Sequence, residues 1–260
     1  MNMDIAPDTL PTLPRREILG SCVIALEWDE GLRLLQRHIA EKRFTRVTFL
    51  NANNANIAAR EPEFARALED FLVLPDGIGV DIAARILYGS PFPANLNGTD
   101  FIPALLAEEK RPLKVALVGT RRANAEAAAL RLSEIAPHHS FVFINDGFFT
   151  PEEEPAILSE LERLHPDILL VAMGVPRQEL WIARSITEKH CTMPIAVGAL
   201  LDFLSGAVPR APRWMRRMRI EWVFRLALEP KRLWRRYVLG NPIFLARVLI
   251  QKLQHRWKQP

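Results

Sequence analysis

From about residue 47 onward, short runs of β-branched and other apolar residues alternate with longer stretches whose apolar positions recur at helical spacing. The pattern predicts strands at 47–50, 72–74, 114–118, 140–144, 168–172 and 195–197, separated by helices at 54–70, 78–88, 100–109, 122–135, 151–164 and 177–189. Thr99 before Asp100, and Thr150 before Pro151, Glu152 and Glu153, read as helix starts, with a hydroxyl cap and acids in the first turn. Strand–helix alternation of this kind makes a mostly parallel sheet covered by crossover helices, so the expected fold is α/β and Rossmann-like. After Leu204 the strand signal stops. Helical patterns broken at Pro209, Pro212, Pro230 and Pro242 replace it, which divides the chain into an α/β domain over 1–204, its first twenty residues flexible, and a helical appendage over 205–260.

Charge sharpens that division. Residues 205–260 carry 14 Lys and Arg against two acids, Glu221 and Glu229, an excess of +12, whereas the first 204 residues hold 20 basic and 28 acidic residues, or −8. Four of the six tryptophans, Trp214, Trp222, Trp234 and Trp257, are interleaved with those bases. A basic, aromatic tail on an acidic body points to a polyanionic partner: a membrane surface, a nucleic acid or a phosphorylated substrate. No apolar run is long enough to span a bilayer. The first 14 residues contain Asp4 and Asp8 and do not read as a secretory signal. Cys22 and Cys191 form no CxxC pattern, so a disulfide framework and a thiolate metal cluster are both excluded and the cytoplasm is the expected compartment.

In open α/β sheets, ligands collect beyond the carboxyl ends of the strands. The turns predicted there are polar and rich in glycine: Asn51 to Asn54, Pro75-Asp76-Gly77, Gly119-Thr120, Asn145-Asp146-Gly147, Met173 to Glu179, and Gly198 to Asp202. Asp76 follows an apolar strand and precedes Gly77-Ile78-Gly79. It can act as a general base at a cleft mouth or as the N-cap of the next helix, and spacing alone does not separate the two. Gly77 to Ile82 is not a dinucleotide fingerprint, because Ile82 stands where the third glycine belongs. No Asp-x-Asp pair is present to hold a divalent cation against a diphosphate, and the His138-His139 pair reads as a loop. No metal site and no cofactor are therefore expected, and a diphosphate would be met by arginines and helix N-termini. Arg225, Arg232 and Arg235 would share a helical face if one helix continued through Pro230, with Arg236 at a similar angle.

Taken together, the segments Phe49-Leu50-Asn51-Ala52, Leu74 to Gly79, Asn97-Gly98-Thr99-Asp100, Met173 to Glu179, Asp202-Phe203, Arg210 to Trp214 and Glu221 to Leu226, with Glu229 to Arg232, resemble the WecG/TagA/CpsF glycosyltransferase family, from about Val47 to Tyr237. The resemblance implies a GT-E-like fold and a metal-independent, inverting transfer of a sugar from a UDP-sugar onto an undecaprenyl-diphosphate-linked sugar, by a peripheral protein at the cytoplasmic face of the membrane. It assigns Asp76 as base. Asn51 and Gln178 fall on the donor side, with Gly119, Gly147, Gly174 and Asp202 in the same turns. Asn95 and Arg210 fall on the acceptor side, and Arg225, Arg232 and Arg235 meet the diphosphates. Two positions depart from the common pattern: Phe49 replaces a Thr, and Asn95 replaces an Arg. The segments around them look more like the branch that adds the second glucose in xanthan-type exopolysaccharide assembly, so glucose is the expected sugar and N-acetylmannosamine, or its uronate, the alternative. From other classes, a different Rossmann-like enzyme and a basic nucleic-acid-binding module remain. The family reading excludes nucleic acid as a partner and fixes no oligomeric state.

Overall fold

A computed structural model describes residues 13–218 and 220–258, with side chains undescribed at 217 and 255–258. Residues 1–12, expected to be flexible, and the Trp257 side chain therefore lie outside the described residues. The remainder of the expected flexible segment is ordered. β1 (Arg15–Ile18) and β2 (Ser21–Ile24) form an antiparallel hairpin closed by Leu19 and Gly20, both at positive φ. That is the two-residue geometry whose twist suits a hairpin.

α1 (Trp28–Ala40) leads into β3 (Arg46–Leu50), which is followed by α2 (Ala52–Ala58), α3 (Pro62–Glu69) and β4 (Phe71–Pro75). The single helix expected over 54–70 is thus two, with Pro62 starting the second, where a missing N–H costs nothing. α4 (Ile78–Tyr88) and α5 (Gly98–Glu108) precede β5 (Lys114–Gly119), α6 (Arg122–Ile135) and β6 (Ser140–Asn145). α7 (Glu154–Leu164), β7 (Ile168–Ala172), α8 (Arg177–Ser185), β8 (Met193–Ala196) and α9 (Leu200–Leu204) complete the α/β part. Two expected caps move. Asn97 rather than Thr99 caps α5, its Oδ1 accepting from the Asp100 N–H at 3.1 Å. α7 starts at Glu154, because Glu153 turns back to accept from the Thr150 N–H at 2.8 Å.

The eight strands run in the order β1-β2-β4-β3-β8-β7-β5-β6, parallel except for the β1–β2 hairpin. Central strands alternate between two cores. Ala116, Val118, Leu169 and Val171 face a cluster built on α2, α3, α4 and α8, whereas Val115, Leu117, Ile168 and Leu170 face one built on α1, α5 and α6. β5 continues outward to β6 while β7 continues the other way to β8, so the connections diverge between β5 and β7 and leave a crevice at their carboxyl ends.

α10 (Arg213–Arg217), α11 (Glu221–Leu228), α12 (Pro230–Trp234), a π-helical segment Arg235–Leu239 and α13 (Gly240–Lys258) form the appendage. Its last helix is docked on the body. α13 lies against α2 and α4, and Phe244 and Val248 are fully buried in the first core. Asn56 ties the joint, donating from Nδ2 to the Gly240 carbonyl at 2.7 Å and accepting from Arg247 at 2.9 Å. Gln251 accepts from the Leu19 N–H at 3.0 Å. Removing a fully buried phenyl ring leaves a cavity as well as losing its burial. Phe244→Ala should therefore cost about 3–5 kcal/mol in equilibrium denaturation, where a loss under 1 kcal/mol would mean that α13 only rests on the surface.

Candidate active site

β3 and β4 are parallel neighbours in a register that pairs Leu50 with Pro75. The residues that follow, Asn51 and Asp76, therefore leave the sheet side by side. Asn51 caps α2, its Oδ1 accepting from the Asn53 and Asn54 N–H groups at 3.1 Å, which turns Nδ2 toward Asp76 Oδ2 at 3.3 Å. The Asp76 N–H donates to the Leu50 carbonyl at 2.9 Å. Of the two roles open for Asp76, the cap is not the one seen: α4 starts from Gly77 at φ 87°, with no side-chain cap. Gly77 donates its N–H to Asn95 Oδ1 at 2.7 Å, so Asn95 holds the loop that carries Asp76.

Two cavities of about 600 Å³ each open on either side of this pair. Asn51, Asp76, Thr99, Phe203, Arg225 and Arg236 bound both, so the cavities are lobes of one cleft with Asp76 on the shared wall. The first lobe is polar and follows the ends of β5 to β8, where Thr120, Asp146, Gly147, Gly174, Gln178 and Asp202 bound it. The second is mostly apolar and lies between α4 and the appendage, against Ile78, Ile82, Ile220, Trp222, Tyr237 and Leu245.

The polar lobe is rigidly built. Thr120, a β-branched residue, sits at φ 59°, a conformation costing about 1–3 kcal/mol, and its hydroxyl donates to Asp202 Oδ1 at 2.5 Å, which also accepts from Asn124 at 3.2 Å. Gln178 Oε1 accepts from the Gly174 and Gly198 N–H groups at 3.2 Å each, joining the ends of β7 and β8. Gly119 is at φ 115° with its Cα face against the Ala172 carbonyl, where a Cβ would come within 2.4 Å. It shapes the crevice from behind and does not bound the lobe, contrary to its expected place on the donor surface.

Electrostatics concentrate at the shared wall. Burial raises the Asp76 pKa above the ordinary carboxyl value, opposed by the Asn51 hydrogen bond and by the charges of Arg236 and Arg225, while Glu221 adds to the rise. Arg225 and Arg236 are half-buried, each with a buried Nε that has no partner. Desolvation lowers the Arg236 pKa. Two cations with unused donors facing a carboxylate form a site that favours a further anion. Arg232 bounds the polar lobe from a more exposed position, paired with Glu229.

Arg235 does not join them. It is exposed and lies over the Trp234 ring at 5.5 Å, and its neighbour Arg236 takes the place expected for it. A shared face for Arg225, Arg232 and Arg235 required one α-helix through Pro230, but the chain breaks at Glu229 (φ −130°, ψ 59°) and widens to a π-helix over 235–239, which rotates the face by about one residue. Arg210 bounds neither lobe. It stacks over Phe203 at 5.3 Å and joins Asp100 at 3.0 Å to Glu221 at 3.2 Å, linking α5 to α11 behind the wall. Arg236, which the spacing offers as the alternative to Arg235, and Phe203, part of the Asp202-Phe203 segment, both bound the two lobes without having an assigned role. The Asp202-Phe203 pair after the last strand marks Phe203, and no sequence pattern separates Arg236 from Arg235. Among the described residues no group of three or more His, Cys, Asp or Glu is placed to hold a metal ion.

A two-lobed cleft at the carboxyl edge of a parallel sheet, with a carboxylate between a polar and an apolar lobe, suits transfer between a polar and an amphiphilic substrate. The glycosyl transferase WecG/TagA/CpsF family model matches residues 16–258, and the chain belongs to that family. The match extends past Tyr237, where the sequence resemblance was expected to end, and takes in α13. Among curated relatives, a Bacillus subtilis (strain 168) protein is 29% identical over 218 residues, 83% of both chains. One from Bacillus spizizenii is 30% identical over 74% of both, and one from Staphylococcus aureus (strain NCTC 8325 / PS 47) 29% identical over 76% of this chain and 81% of its own. All three are named N-acetylglucosaminyldiphosphoundecaprenol N-acetyl-beta-D-mannosaminyltransferase.

The placement of the arginines has a direct consequence. A charge-assisted hydrogen bond is worth about 1.5–3 kcal/mol, so Arg236→Ala should weaken the binding of a diphosphate anion such as pyrophosphate by roughly 10- to 150-fold in calorimetry, and Arg235→Ala by less than about 2-fold. The reverse order would restore Arg235 to the site.

Proposed function

We propose that this glycosyl transferase moves a sugar from a UDP-sugar to an undecaprenyl-diphosphate-linked sugar, with Asp76 as the base. The observation that carries the reading is the position of Asp76 on the wall common to both lobes. The donor nucleotide occupies the polar lobe, and the lipid-linked acceptor enters through the apolar one. Asp76 accepts the proton of the acceptor hydroxyl as its oxygen forms a bond to the anomeric carbon. The bond from that carbon to the diphosphate oxygen breaks on the opposite face, so the anomeric centre inverts. Burial raises the Asp76 pKa and so strengthens it as a base, while the Asn51 hydrogen bond and the charges of Arg236 and Arg225 oppose that rise and favour the carboxylate form. The charge left on UDP is met by Arg225, Arg236 and Arg232, without a metal.

The names of the relatives favour an N-acetylmannosaminyl donor and an N-acetylglucosamine-bearing acceptor over the glucose expectation, which they do not support. Phe49 and Asn95, the two departures from the common pattern, bound the polar and the apolar lobe respectively. The Phe49 ring covers Gly98, and Asn95 holds Gly77. The experiment is incubation of the protein with radiolabelled UDP-N-acetylmannosamine or UDP-glucose and a short-chain lipid-diphosphate-N-acetylglucosamine, in EDTA. Transfer should occur from the N-acetylated donor. Asp76→Asn should lower turnover by about 10²–10⁴-fold with UDP affinity nearly unchanged. Near-wild-type turnover in that variant would remove Asp76 as the base.

The appendage supports a peripheral place on the cytoplasmic face of an anionic membrane. Trp214, Met218, Val238, Ile250 and Leu253 are exposed among its basic residues, at 54–61% for all five. Among the described residues no helix is long and apolar enough to cross a bilayer. Each Lys or Arg near an anionic leaflet contributes about 1 kcal/mol. The protein should co-sediment with phosphatidylglycerol vesicles and come off in high salt. Equal binding to neutral vesicles at high salt would contradict an electrostatic attachment.

A further inference from the structure

Glu179 is fully buried on the first turn of α8, and it also bounds the polar lobe. Its Oε1 accepts from Gln178 Nε2 at 2.9 Å and from Thr48 Oγ1 at 3.0 Å, while Oε2 has no partner. Burial pushes its pKa up to about 7, and the opposing influences come only from Gln178, Thr48 and its own backbone. No charged side chain, on α8, on β3 or on any other element among the described residues, contributes to that balance. A buried acid without a cation is costly, and a well-packed apolar side chain of similar size would stabilise the fold better. Packing therefore gives no reason for a carboxyl here.

The hydrogen bonds do give one. Gln178 has four hydrogen-bonding positions, two lone pairs on Oε1 and two protons on Nε2. Gly174 and Gly198 use both lone pairs and Glu179 uses one proton, leaving one Nε2 proton with no partner among the described residues, on a side chain that bounds the polar lobe. The two glycine N–H groups hold the oxygen end of the amide. Glu179 holds the nitrogen end, and Thr48 on β3 holds Glu179.

We propose that Glu179 is a positioning residue for the transfer: its carboxyl fixes the Gln178 amide so that the free Nε2 proton is aimed at an oxygen of the UDP-sugar. This rests on the donor occupying the polar lobe, as proposed above. Both protonation states of Glu179 keep Oε1 as an acceptor. A glutamine at 179 can do the same, with its NH2 group in the place of the unpartnered Oε2.

The test is a double-mutant cycle on the full chain, read in donor kcat/KM and, independently of transfer, in UDP affinity by calorimetry. Glu179→Ala should lower donor kcat/KM by about 10- to 100-fold with the KM for the acceptor unchanged, as expected for a lost charge-assisted hydrogen bond. Gln178→Ala should lower it at least as far. The double variant should be no worse than Gln178→Ala alone, because Glu179 then has nothing to orient. Glu179→Gln should recover activity to within about 3-fold of the wild type. Should Glu179→Ala not fold, Thr48→Val, which loosens Glu179 from the other side, carries the same comparison on either Gln178 background, with Glu179→Gln as the conservative control. Additive losses in the cycle, or a glutamine variant that melts like the wild type and is as impaired as the alanine one, would overturn the proposal. A wild-type protein that neither binds UDP nor transfers sugar would instead overturn the donor reading of the lobe. UDP binding with an additive cycle counts against Glu179 alone.

Discussion

The site depends on the register of two parallel strands. Because Leu50 stands opposite Pro75, the first residue beyond β3 and the first beyond β4 are neighbours, and they are Asn51 and Asp76. A slip of one residue would exchange the faces of the strand and carry Asp76 away from both lobes. The pairing is locked because Val47, Leu50, Val73 and Leu74 are all buried, so no neighbouring register keeps both cores filled. Asn51 then spends its oxygen on capping α2 and has only its amide protons left to offer, which fixes the sign of the contact with the carboxylate.

The appendage completes what the sheet begins. Arg225 and Arg236 reach the shared wall from α11 and the π-helical segment, and the placement of that segment is anchored on both sides. Before it, Arg210 and Arg216 bind Asp100 of α5, and Arg210 continues to Glu221. After it, α13 is held by Phe244 in the core and by Asn56. Two roles that look separable in the sequence, a basic surface and a source of cations for the site, are therefore coupled through one set of helices. A change that undocks α13 would disturb the cleft as well as the surface.

Much of this was legible in the sequence. Apolar runs marked the six strands from 47 onward, because the five inner strands are buried on both faces and read as short continuous apolar segments, while β6 at the edge keeps an apolar run though only half-buried. The hairpin at 15–24 was missed, since Leu19-Gly20 lacks the Asn-Gly or Asp-Gly signature of a two-residue turn and the strands are only four residues long. The polar turns after the strands bring Asn51, Asp76, Gly147, Gly174, Gln178 and Asp202 around one lobe. What failed was phase. The choice between Arg235 and Arg236 depends on a break at Glu229, which Pro230 signals, and on a π-helical turn, which periodicity cannot read. Glu179 was visible as half of a Gln-Glu pair, yet its burial follows from the packing of α8 against β3 and could not be read from the chain.

The central claim is that two separate lobes bring two substrates to one carboxylate. Calorimetric titration of the Asp76→Asn protein with UDP, before and after saturation with a short-chain lipid-diphosphate-N-acetylglucosamine, tests it most directly. Independent lobes predict that UDP binds with one equivalent in both cases and within a few-fold of the same affinity, giving a ternary complex. Loss of UDP binding in the presence of the acceptor would show that both ligands compete for one space, and would contradict the account.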